Sequence, residues 1–128
     1  MTGSRRPDDF DWVSARQACS VAHMFEVLAR QARQNVDALH APASVGARVL
    51  EEGTCLSVVT DRGTKARFRL TADHIEVEVF GLARAVQLRA TVGMDDDGAC
   101  RLCVDGQLLQ PWQLLRRALE PLFFPTNA

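Results

Sequence analysis

The sequence predicts an α+β domain: a long N-terminal helix, an antiparallel β-meander of four to six strands and a short C-terminal helix, with the helices packed on one sheet face. Three observations predict it. Apolar residues recur at steps of three and four between Asp11 and Leu39. Apolar and charged residues alternate from Lys65 to Phe80 and again from Val86 to Val92. A second helical stripe follows Pro111.

The first helix carries Ala18, Ala22, Phe25, Leu28, Ala29, Ala32, Val36 and Leu39 on one stripe, with Val21, Met24 and Val27 beside it. Glu26 with Arg30 and Arg33 with Asp37 lie four apart on the other side. Two starts fit the pattern: a capping box of Ser14 with Gln17, or Ser20 capping a second helix after one short turn. Ala41-Pro42 ends the helix, because a residue before proline is pushed out of α space. Residues 42–46 are then a linker.

A weak strand is expected from Ala47 to Glu51 and another from Leu56 to Thr60, separated by Glu52-Gly53-Thr54. The next hairpin fixes its own register. A two-residue turn at Ala72-Asp73 sets Arg67 opposite Glu78, Arg69 opposite Glu76, Phe68 opposite Val77 and Leu70 opposite Ile75. One face is then apolar and the other charge-paired, and a one-residue slip would spoil both. Pairing across Gly81 to Arg84 adds Val79 to Val86, Val77 to Leu88, and Arg89 beside Glu76. Cys100, Leu102 and Val104 continue the apolar face beyond an acidic loop, Asp95 to Gly98. Asp105-Gly106 turns the chain. Pro111 opens the last helix, whose stripe is Trp112, Leu115, Ala118, Leu119 and Leu122; Pro121 is expected to interrupt or end it near Glu120.

Length and composition bound the rest. A chain of 128 residues is the size of one domain, here a flexible tail over 1–10 and a single α+β domain over 11–128. A net charge of −1 supplies no field to gather nucleic acid or an anionic membrane. No run approaches the roughly 18 to 20 apolar residues of a membrane span. A cytoplasmic location is the default, with no membrane and no nucleic acid among the partners. The arginine-rich, alanine-rich composition is that of a GC-rich, bacterial coding sequence.

Candidate chemistry is sparse. Cys100-Arg-Leu-Cys103 matches C-x-x-C, but in a strand such cysteines point to opposite faces about 10 Å apart. One core and one surface cysteine is the expectation. Cys19 and Cys55 complete four cysteines that could pair in principle but read as buried thiols in a reducing compartment. His23, His40 and His74 each need a partner in space before any catalytic role. No metal ligand set and no cofactor motif is present, and Asp95 to Gly98 lacks the spacing of a calcium loop.

The surplus of apolar helix positions is the best functional pointer. Met24, Val27, Trp112, Phe123 and Phe124 are the candidate interface residues. The chain therefore reads as a non-enzymatic binding or accessory module acting through protein contact, as a homodimer or with a protein partner. The alternative is a carrier or sensor of an apolar small molecule, held in a pocket between helix and sheet.

Overall fold

The structure is a computed structural model and describes residues 9–39 and 46–125. Three helices and a seven-stranded antiparallel sheet form one α+β arrangement. The order is α1 (Trp12–Ala18), α2 (Val21–Asp37), β1 (Ala47–Glu52), β2 (Cys55–Thr60), β3 (Lys65–Leu70), β4 (Ile75–Phe80), β5 (Val86–Met94), β6 (Cys100–Val104), β7 (Gln107–Leu109) and α3 (Pro111–Phe123). Every strand pairs with its neighbours in sequence, so the sheet is an uninterrupted meander.

Of the two starts the pattern allows, the structure takes the second: the N-terminal helix is divided in two, with Ser20 capping the longer part. Asp11, not Ser14, caps the first: its Oδ1 accepts from the Ser14 backbone N–H at 3.0 Å. Ser20 caps the second, its Oγ accepting from the His23 N–H at 3.1 Å. Each cap satisfies an N–H that has no partner inside its helix. The break at Cys19-Ser20 resets the helical phase. Ala18 and Ala22, expected on the buried stripe, are exposed, and Met24 moves into the core beside Leu28, Ala29 and Ala32. The end of the helix at Ala41-Pro42, His40 and most of the 42–46 linker lie outside the described residues, as does most of the expected tail. Of that tail, Phe10 lies against the β5–β6 turn. A Cβ on Gly98, whose φ is +79°, would stand 2.4 Å from the Phe10 ring.

The predicted register holds throughout the central hairpins. Arg67 pairs with Glu78, Arg69 with Glu76, Phe68 with Val77 and Leu70 with Ile75. Val79 pairs with Val86, Val77 with Leu88 and Glu76 with Arg89. Seven strands exceed the expected four to six because β7 adds three residues after Asp105-Gly106. Both turn residues have positive φ, 52° and 78°, the pattern of the two-residue type I′ hairpin.

The core lies between one sheet face and the helices. Leu56, Val58, Ala66, Phe68, Ile75, Val77, Ala90 and Leu102 of the sheet meet Leu28 and Ala32 of α2 and Leu114 and Ala118 of α3, all fully buried. Helix α3 does not stop near Glu120. It runs through Pro121 to Phe123, so Pro121 removes one hydrogen bond from the last turn without breaking it. Burial of Leu122 and Phe123 holds that turn on the core.

A covalent staple was not expected. Cys19 and Cys100 form a disulfide with Cα atoms 5.4 Å apart. The α1–α2 break carries Cys19 to the start of β6, a convergence that spacing alone cannot reveal. Cys55 and Cys103 remain free thiols. Cys100 sits on the apolar parity of β6 and Cys103 on the other, so the C-x-x-C pair is not a dithiol.

Candidate functional site

Two surfaces carry unusual side chains: the charged face of the sheet, and the groove where α2 meets α3.

On the sheet, Arg67 pairs with Glu78 and Arg69 with Glu76. Phe80 closes the row, with Lys65 Nζ 5.3 Å and the Arg67 guanidinium carbon 5.2 Å from its ring centroid. Hydrogen bonds from Arg69, then the neighbouring His74, hold the Glu76 carboxyl below its ordinary value of 4.5. Asp73 is likewise lowered, first by its hydrogen bond to His74. His74 Nδ1 stands 2.7 Å from Asp73 Oδ1 and 2.8 Å from Thr71 Oγ1, and Nε2 stands 3.3 Å from Glu76 Oε2.

A hydroxyl, an imidazole and a carboxylate in sequence suggest nucleophilic chemistry. Local bonding argues for a turn staple instead. The Thr71 hydroxyl donates to the His74 carbonyl at 2.9 Å and accepts from the His74 N–H at 3.2 Å. Its proton is committed to the backbone, and the group sits on an outward sheet face. Charge pairing of this kind fixes register more than it adds stability. One pH effect follows. A carboxyl lowered by folding stabilises the folded state above its unfolded value and loses that contribution as pH falls through the folded value. The stability difference between wild type and Glu76→Gln is therefore expected to be constant at neutral pH and to shrink once pH drops below 4.5. Urea unfolding at a series of pH values checks this; a difference that persists undiminished in acid would contradict it.

The groove between the helices is of another kind. Its floor is Leu115, Leu119 and Phe123 from α3; Asn35 of α2 with Ala38 and Leu39 just past its end form one wall. Trp112, Arg116, Glu120 and Phe124 form the other. Its volume is about 390 Å³. Trp112 is 51% exposed and Phe124 54%. Arg116 Nε and Glu120 Oε1 are 3.0 Å apart between them.

Of the five candidate interface residues, the structure brings three to this groove: Trp112, Phe123 and Phe124. Phe123 is its buried floor. Met24 is buried in the core, only 3% exposed, so it offers no docking surface, and Val27 is half-buried and lies outside the groove lining. Arg116 and Glu120 were not singled out from sequence. Their i,i+4 spacing with Trp112 was the available signal.

Among the described residues no three His, Cys, Asp or Glu side chains converge as a metal would require, and no helix is long and apolar enough to cross a membrane. Comparison of the chain with protein-family models, curated proteins and solved structures gives no match.

Proposed function

We propose that this chain is a non-enzymatic binding module whose working surface is the groove between α2 and α3. One observation carries the reading: two large aromatic side chains, Trp112 and Phe124, stand half-exposed at the two ends of an apolar floor. Half-exposed aromatics beside a preformed apolar recess are the usual anchors of a protein interface. The charged sheet face is ion-paired, and the aromatic it exposes, Phe80, lies under the Lys65 and Arg67 head groups.

A carrier with a pocket between helix and sheet is the weaker reading. That layer is occupied by Phe68, Leu28, Leu114 and Leu122, all essentially inaccessible. As to setting, a bacterial protein of an oxidising compartment fits the Cys19–Cys100 bond better than the cytoplasmic default, because cytosolic thiol buffers keep such pairs reduced.

Photo-crosslinking tests the surface. A benzophenone amino acid placed at Trp112 is expected to capture a protein in the cells that make the chain, whereas the same group at Arg69 on the sheet face is not. Capture from Arg69 alone would move the functional surface to the sheet.

A further inference from the structure

We propose that the occupant of the groove is a second copy of this chain, its α3 crossing α3 antiparallel about a twofold axis. This rests on the reading of the groove as a binding surface and adds the partner.

Trp112, Arg116 and Glu120 are spaced by four and form a ridge along α3; Phe124, the C-cap residue whose N–H still donates to the Glu120 carbonyl at 2.9 Å, continues the row just past the helix, and all four are exposed. Grooves flank the ridge on both sides, one of about 390 Å³ toward α2 and one of about 240 Å³ toward β7. Ridges at i±4 seated in the matching grooves of a second helix give the commonest helix-packing class. The relief therefore suits another helix of the same kind.

The chemistry of the ridge selects which helix. It runs aromatic, cation, anion, aromatic. Reversed, it is its own complement. An antiparallel copy sets Trp112 beside the second copy's Phe124 and Arg116 beside the second copy's Glu120, and the twofold repeats both contacts in the other sense. This is the self-complementarity that a closed dimer interface demands. A parallel copy would set Arg116 against Arg116 and Glu120 against Glu120, which like-charge repulsion disfavours. The intrachain Arg116–Glu120 pair, with side chains 63% and 52% exposed, is free to join a four-charge cluster. Association draws mainly on the aromatic ends, and the charges set direction.

Light scattering on the full chain is expected to give twice the 14.1 kDa chain mass. Arg116→Glu and Glu120→Arg each place like charges across the axis. Each is expected to weaken self-association at least about a hundredfold. Mixed in equal amounts, the two variants form a heterodimer in which every charge again faces its opposite. Mixing cannot restore an intrachain pair, so recovery on mixing reports the contact between copies; urea curves confirm that each variant folds. A wild-type chain of single mass at high concentration overturns the proposal, as does a dimer indifferent to both variants or a mixture of folded variants that stays monomeric. If the wild type is monomeric and Trp112 still captures a different protein, the groove reading stands and the second copy is ruled out as occupant.

Discussion

Replacing Phe68 with alanine is expected to lower the unfolding free energy by about 3 to 5 kcal/mol, the range for a buried aromatic reduced to a methyl group. Phe68 is fully buried at the middle of β3, paired with Leu56 on one side and Val77 on the other. Both α2 and α3 pack on β3, so the cavity would open where the three elements meet. Lost transfer energy and lost packing contacts then add. Phe80 is the internal control. It points to the opposite face, is 39% exposed, and has the Lys65 and Arg67 head groups over its ring. Phe80→Ala is expected to cost about 1 kcal/mol or less. Urea unfolding of the two variants separates them; equal losses would mean that the sheet does not bury the face assigned here.

Reducing the Cys19–Cys100 bond is expected to lower stability by about 2 to 5 kcal/mol. The bond closes a loop with a sequence separation of 81, which puts it toward the upper part of that range in the chain-entropy picture. Its native-state role is local: it ties the junction of α1 and α2 to the start of β6. Because Cys19 is buried, unfolding the wild type with and without reductant is a cleaner comparison than a serine substitution, which would add a buried hydroxyl. Thiol titration of the unfolded, unreduced chain should find only Cys55 and Cys103. Superimposable curves in the two conditions would remove the disulfide as a stabilising element.

The sheet was legible because two faces constrain each register at once. Arg67 and Arg69 need Glu78 and Glu76 on one side, while Phe68 and Leu70 need Val77 and Ile75 on the other; a single pairing satisfies both. The helical end was less legible. A three-and-four apolar repeat continues across Cys19-Ser20, so periodicity alone does not show the break; only the paired caps at Asp11 and Ser20 do. That break decides that Met24 is core and Ala22 is surface. Pro121 misled in the other direction, since burial of Leu122 and Phe123 outweighs one missing hydrogen bond at a helix end. The disulfide was illegible, since four cysteines permit several pairings and the fold chooses one. Of the groove, the aromatic anchors Trp112 and Phe124 were visible as surplus apolar residues. Arg116 and Glu120 were not visible as part of it, since polar residues four apart on a helix are ordinary until the neighbouring α2 gives them a groove to line.

The claim that the α2–α3 groove is the surface this protein works through is tested most directly by crosslinking from Trp112. With the photoreactive group at that position, irradiation should yield an adduct, and a band at twice the chain mass identifies the second copy. The same group at Arg69 should leave the chain uncoupled. No adduct from Trp112 at native abundance, with efficient capture from the sheet face, would contradict the assignment of function to this groove.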